Sequence, residues 1–344
     1  MDDRYEHIKD IMTNDCSGFT FVDGCEYELS PFSTYTCSQT EIESKVLRGV
    51  IAVSDYFILY ALICLGHATP EMVNRYLNRL RVSHPDMLIP GRDIDGTKSR
   101  LKTLSSYGVV RCFSYKVAER SSPLYIYCIS EGGGKLVQRG LFRDCTYDVL
   151  CSTETIMLVL RRAVCNYIGT LMLQQNKWCH EYLAKASIHL GKGEKMQSYG
   201  RLYYKVQDND SEHKYVCFIE PIFFSYDARI MDAKGNLAAM KSRLVNYDRH
   251  FKFLSDKYEG TYLIICVENW GGLVKSVQLI QQSAPDLLDV CFFVCDRVVY
   301  VNGDSRSIAD SCLQVSIDGN VLRCHVAEHP VIFGNNGLDN IPSV

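Results

Sequence analysis

The chain has 344 residues, of which 47% are apolar and 22% charged, and its formal net charge is −3. This is the composition of a globular protein with two domains, and it excludes a surface that is basic throughout. The first fifteen residues carry five acidic side chains and lack the apolar stretch of a secretory signal.

The N-terminal third predicts an acidic extension followed by helices. Residues 1–45 hold ten Asp or Glu against three Lys or Arg, and we expect short extended pieces at 19–28 and 32–37. Apolar spacing predicts a buried helix over 45–64, which Arg48, Ser54 and Asp55 make unsuitable as a membrane span. Thr69 and Pro70 then have the positions of an N-cap and a first helical residue.

A basic helix and a hairpin follow. In the helix after Asp93 we expect Ile94, Leu101 and Leu104 to face inward, which leaves five polar side chains on or beside the outer face: Lys98, Ser99, Arg100, Lys102 and Thr103. Residues 109–117 and 124–129 read as strands joined by a tip at 118–123. The glycines at 132–134 lack the Walker spacing and predict only a helix start.

The remaining chain alternates helices and strands. We expect helices at 153–174, 178–190, 235–254 and 273–281, and strands at 202–206, 215–224, 262–267, 290–295 and 298–301. This order is typical of a mixed α/β sandwich. The predicted division is therefore an extension at 1–45, a first domain at 46–145 and an α/β domain at 150–340.

Residues 92–120 carry a local charge of +4, a positive region on a slightly acidic chain. Helix, helix, basic helix and two-stranded wing is the order of a winged helix-turn-helix, which binds double-stranded DNA or, in the alternative, a protein. Lys98, Ser99, Arg100 and Thr103 are candidate base-edge readers, and Lys102 adds to the basic surface. The wing offers phosphate contacts at Arg111, Lys116 and Arg120.

Three segments resemble the replication-relaxation family of mobile-element proteins: residues 55–69, residues 98–111 and residues 125–133. The resemblance extends over roughly residues 46–300, and residues 216–220 and 244–247 fall where that family has its second domain. It implies an α+β protein, a winged helix-turn-helix followed by a restriction-endonuclease-like α/β domain. It also implies a role in binding origin DNA and assisting a relaxase in plasmid replication or conjugation.

A nuclease of that type needs two carboxylates and a lysine around a divalent cation. Glu220 ends an apolar strand, but Ile222 stands two residues on and the strand before it has no carboxylate. We therefore expect no catalytic residue and no metal site, with Glu220 facing solvent or pairing with Lys241 or Arg243. The alternative is a metal-dependent nuclease that uses Glu220 with Lys234 or Lys241.

The sixteen cysteines include no Cys-x-x-Cys pair. Five of them lie in apolar runs and are predicted to be buried thiols, namely Cys64, Cys128, Cys217, Cys266 and Cys291. We expect a reducing, cytoplasmic location, no cofactor and no membrane partner. The sequence thus predicts a non-enzymatic, sequence-specific DNA-binding accessory protein, with a nuclease or a protein-assembly and transcription-regulation module as alternatives.

Overall fold

The computed structural model describes residues 3–15, 26–29, 37–87, 89, 91–116, 124–145, 156–191, 194–208, 211–224, 233–302, 307–318 and 321–334. The chain is α+β and divides into two compact units. Unit 1 comprises Met1–Thr20 and Leu171–Val344, and unit 2 comprises Phe21–Thr170. This division differs from the predicted one, because the first twenty residues belong with the C-terminal part rather than to a separate extension.

The described helices are α1 (Asp3–Asp10), α2 (Gln39–Leu47), α3 (Val53–Leu65), α4 (Pro70–Ser83), α5 (Ile94–Ser106), α6 (Glu131–Arg139), α7 (Ile156–Gln175), α8 (Ala233–Leu254), α9 (Trp270–Ser283) and α10 (Asp296–Asn302). The strands are β1 (Glu26–Leu29), β2 (Val110–Lys116), β3 (Leu124–Ile129), β4 (Cys179–Ala184), β5 (Ser187–Gly191), β6 (Glu194–Gln197), β7 (Gly200–Asp208), β8 (Ser211–Ile222), β9 (Gly260–Val267), β10 (Cys291–Val294), β11 (Cys312–Asp318) and β12 (Val321–Val326).

In unit 2, the helix predicted over 45–64 is two helices, α2 and α3. The turn between them contains Gly49 at φ +69°, a left-handed conformation that favours glycine and ends α2. The predicted start of α4 is confirmed, since the Thr69 side chain accepts a hydrogen bond from the Met72 amide at 3.4 Å and Pro70 is the first helical residue.

The predicted hairpin is present as β2 and β3, with Val110 opposite Ile129, and its tip lies outside the described residues. On the outer side of β2 lies β1. On the outer side of β3, Ala68 exchanges two backbone hydrogen bonds with Tyr127, of 2.9 and 2.8 Å. The hairpin is therefore extended on both edges, and the connection between α3 and α4 supplies one of the extensions.

The glycines before Lys135 lie in α6, as the helix-start interpretation predicts. The Ser130 side chain accepts a hydrogen bond from the Gly133 amide at 3.1 Å and caps the helix. A Cβ at Gly133 would come within 2.1 Å of the Val109 carbonyl oxygen. Glycine at this position therefore serves the close packing of α6 against the chain that leads into the hairpin.

Unit 1 is built on a seven-stranded mixed sheet in the order β12-β11-β10-β9-β8-β7-β4. Strands β8, β9 and β10 are parallel to one another, and their other neighbours are antiparallel. One face of the sheet forms a core with α1, α8 and α9. Helix α1 contributes Ile8 to this core, and the π-helical segment Ile11–Asp15 that follows it contributes Ile11 and Met12. The N-terminal helix thus completes this core.

Two predicted elements of unit 1 are wrong. Residues 178–190 are predicted as a helix but form β4 and β5, and residues 298–301 are predicted as a strand but lie in α10. A bulge between Cys179 and Glu181 breaks the strand alternation, so the sequence lacks the period of two that marks a strand. In α10, tertiary packing of Val298 and Val299 overrides the strand preference of valine.

Among the described cysteines no disulfide is formed. Cys128, Cys217, Cys266 and Cys291 are buried as predicted, and Cys64 is half-buried. No helix in the described ranges combines the length and the apolar character needed to cross a bilayer.

Candidate nucleic-acid interface

Helix α5 has one buried and one exposed face. Its N-cap Asp93 accepts a hydrogen bond from the Gly96 amide at 2.6 Å. Thr97, Leu101 and Leu104 have no exposed surface, and the helix packs on α4 and β2. The inward positions predicted for Leu101 and Leu104 are confirmed. Ile94, which is also predicted to face inward, is 42% exposed, because it is the first residue of the helix and projects beyond the packed face.

The exposed face carries part of the predicted binding set. Lys98, Ser99 and Lys102 are exposed together on neighbouring turns. Both lysine side chains are exposed, and in the described part of the chain neither forms an ion pair with a carboxylate. Thr103 is half-buried, and its hydroxyl donates to the Ser99 carbonyl at 3.0 Å within the helix.

Arg100 points away from this face. Its Nε donates to Asp55 Oδ1 at 2.7 Å, and its Nη2 donates to Asp55 Oδ2 and, at 2.7 Å, to the Val50 carbonyl. The Asp55 side chain has no exposed surface. The hydrogen bond to Asp55 raises the pKa of Arg100, so the guanidinium stays charged. Its prediction as a base-edge reader does not fit this placement, since its donors are directed at α3 and the turn before it.

Asp55 joins three elements. Its Oδ2 accepts from the Ala52 amide at 2.7 Å at the start of α3, and its Oδ1 lies 3.9 Å from the Nη2 of Arg92, which also donates to Ser54 at 2.9 Å. Sequence reasoning missed this carboxylate. The available signal was an acidic residue three positions after the N-cap residue Ala52, which is the position of the second half of a capping box.

The wing residues are only partly placed. Arg111 is half-buried near the start of β2, in register with Cys128, whereas Lys116 is the last residue of that strand. At about 3.3 Å per residue, the two positions lie roughly 16 Å apart along β2. Arg120 lies in the tip, outside the described residues. The wing predictions therefore remain predictions.

In unit 1, Glu220 is part of a buried cluster. It is 3% exposed and accepts from Arg243 Nε and Nη2, both at 2.5 Å, and from the Tyr247 hydroxyl at 2.8 Å. Arg243 also donates to the Gln197 carbonyl at 3.1 Å, and its guanidinium lies 5.2 Å from the centre of the Tyr199 ring. Burial lowers the pKa of Arg243, but the charge of Glu220, its hydrogen bonds to Arg243 and the nearby Tyr247 and Tyr199 together raise that pKa above its usual value.

This cluster decides among the interpretations of Glu220. The carboxylate is paired with Arg243, one of the two predicted partners, and does not face solvent. The strand before Glu220 is predicted to lack a carboxylate, but β7 extends to Asp208. Asp208 lies at the end of β7 that is distant from Glu220, because Gly200 is opposite Ile219 and Asp208 is eight residues further on, roughly 26 Å at strand spacing. Among the residues that the structure describes, no group of three or more His, Cys, Asp or Glu side chains is placed to hold a metal ion.

The chain was also compared with known proteins. No protein-family model, no curated protein and no solved structure matches it.

Proposed function

We propose that unit 2 binds double-stranded DNA as a winged helix-turn-helix, with α5 in the major groove and the β2–β3 hairpin as the wing. The observation that carries the proposal is the exposed face of α5. Lys98, Ser99 and Lys102 lie opposite the buried Leu101 and Leu104, so the helix is held from behind while two cations and a hydroxyl project outward.

The surrounding architecture supports this assignment. Helices α3, α4 and α5 precede the hairpin directly, and the bridge between Ala68 and Tyr127 joins the α3–α4 connection to β3. The hairpin is thereby fixed to the same helices that hold α5. A rigid link between a groove-binding helix and a wing lets phosphate contacts set the register in which side chains reach base edges.

Lys98 and Ser99 are proposed to contact base edges, together with Thr103 through its acceptor lone pairs. Lys102 and the wing cations Arg111, Lys116 and Arg120 are proposed to contact phosphates, which positions the protein without reading sequence. Arg100 is removed from the contacting set, since it holds α5 to Asp55.

The biological role follows from the sequence resemblance described above. We propose a sequence-specific accessory protein of a mobile element, which binds origin DNA beside a relaxase. For unit 1 we propose a nuclease-type α/β arrangement without cleavage chemistry, a proposal supported by the pairing of Glu220 with Arg243 and Tyr247. A carboxylate whose lone pairs accept from three donors is a poor ligand for Mg²⁺, which requires oxygen atoms free to coordinate.

The test uses the full chain and a random-sequence DNA duplex of about 30 base pairs, roughly three helical turns. Fluorescence anisotropy over a salt series should give a linear fall of log affinity with log salt concentration. Replacing both lysines (Lys98→Ala with Lys102→Ala) should make that slope shallower, reducing its magnitude by roughly 2, one for each phosphate or base-edge cation removed.

The matched control is Lys135→Ala, which removes one positive charge from α6 in the same unit. Lys135 forms a surface pair with Glu131, so its loss should change neither fold nor slope. Absence of salt-dependent duplex binding in the unmodified chain would contradict the proposal. An unchanged slope in the double-lysine variant would contradict the assignment to α5.

Selection from a random duplex pool then tests sequence specificity, because base-edge contacts predict an enriched motif.

A further inference from the structure

The turn between α2 and α3 is held tightly against α5. The Val50 and Ile51 amides donate to the Lys45 carbonyl at 2.9 and 3.2 Å, which closes the turn on α2. From the other side, Arg100 of α5 donates to the Val50 carbonyl at 2.7 Å and to Asp55. The turn is thus tied to α2 through the Lys45 carbonyl and to α5 through Arg100.

The position of this turn relative to the exposed face of α5 follows from helical geometry. At about 100° per residue, Arg100, Thr103 and Tyr107 form one flank of the helix, next to the face that carries Lys98, Ser99 and Lys102. Arg100 meets the turn, and the Lys45 ammonium lies 5.7 Å from the centre of the Tyr107 ring. The last turn of α2 and the turn after it therefore lie along that flank.

This segment carries two cations. Arg48 is exposed, and its Nε donates to the Ser44 carbonyl at 3.2 Å. Among the described residues, its two terminal nitrogens have no hydrogen-bond acceptor and are open to solvent. Lys45 is half-buried on the Tyr107 ring. Of the acidic residues of α2, Glu43 pairs with Arg139 at 3.0 Å, whereas Glu41 accepts from Ser38 and also interacts with the charge of Lys45. The Lys45 ammonium in addition donates to Cys37 Sγ at 3.2 Å.

We propose that the α2–α3 turn is a third DNA-contacting element, in which Lys45 and Arg48 bind the phosphates that border the groove entered by α5. This inference rests on the proposed function and adds residues that the sequence patterns alone did not mark. Phosphate binding needs cations on a rigid support beside the groove-binding helix, and the link from Arg100 to Val50 and Asp55 provides that support.

The experiment compares Arg48→Ala and Lys45→Ala with the unmodified full chain on the same random-sequence duplex. Each substitution should reduce the magnitude of the slope of log affinity against log salt by roughly 1. It should also weaken binding equally for all duplex sequences. Arg48→Lys should restore the slope, because a phosphate contact needs a positive charge rather than a planar fork. Lys135→Ala is again the matched control for loss of one charge, and circular dichroism verifies the fold of each variant.

The outcomes separate this inference from the function on which it rests. Suppose that the double-lysine variant of α5 has a shallower salt slope while Arg48→Ala and Lys45→Ala keep the slope and affinity of the unmodified chain. The turn then does not contact DNA, and the proposal is overturned. If the folded Arg48→Ala chain instead prefers different sequences, the turn reads bases rather than phosphates, and the proposal is likewise overturned. If the unmodified chain shows no salt-dependent binding, the proposed function itself fails.

Discussion

Removal of Arg100 should test whether the Asp55–Arg100 pair anchors α5. In Arg100→Ala the Asp55 carboxylate, with no exposed surface, would retain among the described residues the Ala52 amide at 2.7 Å and Arg92 at 3.9 Å. Breaking a buried ion pair from one side typically costs about 3–5 kcal/mol. Because the Arg100 side chain is 21% exposed and Arg92 remains nearby, we expect a loss of about 2–3 kcal/mol in the free energy of unfolding of unit 2.

The assay is urea unfolding of the full chain, followed by peptide-resolved hydrogen exchange in α3 and α5. Both tryptophans, Trp178 and Trp270, belong to unit 1, so tryptophan fluorescence would report on the wrong unit. The matched control is Lys102→Ala, which removes the same charge from the exposed face of α5 and should change stability by about 0.5 kcal/mol or less.

A double-mutant cycle provides the sharpest measurement. Once Asp55→Ala has removed the buried carboxylate, the further loss of Arg100 should cost far less than it does in the unmodified chain. Arg100 does not anchor α5 if Arg100→Ala destabilises unit 2 no more than Lys102→Ala does, or if the two losses in the cycle simply add.

Two further predictions concern unit 1. The full chain should not nick supercoiled plasmid with Mg²⁺ or Mn²⁺, because Arg243 and Tyr247 occupy the Glu220 carboxylate; metal-dependent nicking that disappears in Glu220→Gln would overturn this. His329 accepts hydrogen bonds at Nδ1 from the Val331 and Ile332 amides (3.3 and 3.1 Å), and burial lowers its pKa. Its stabilising effect should therefore be complete above its ordinary pKa of 6.5 and decline as the pH falls below that value. Protection factors at 327–334, with exchange rates corrected for the intrinsic pH dependence of amide exchange, should fall over the same range, and His329→Gln should abolish that fall.

Local patterns predicted most of what lies within one element. The buried side of α5, the Thr69 cap and the hairpin all follow from residues within a few positions of one another, where periodicity and capping chemistry act directly. The fate of Arg100 could not be predicted in this way, because its partner is 45 residues distant and a helix pattern cannot distinguish an exposed arginine from one paired across the fold.

The same limit applies to the candidate site. Lys98 and Lys102 were recognised as cations on an outer face, but Lys45 and Arg48 lie in a stretch that the sequence predicts as continuous buried helix. Only the break at Gly49 places them beside α5. The errors at β4 and α10 have a similar origin, since pairing with β7 and packing of Val298 and Val299 outweigh local propensity.

The place of α1 has a consequence for how the protein is made. The apolar partners of Ile8, Ile11 and Met12 lie in unit 1, and Arg4 pairs with Asp310 and Glu328. These partners leave the ribosome only after the whole of Phe21–Thr170 has been synthesised. During synthesis the apolar side of α1 therefore stays exposed while unit 2 folds, and the core of unit 1 is completed only when its last strands emerge. Trimming the acidic N-terminus to obtain a shorter protein would consequently remove part of the core of unit 1.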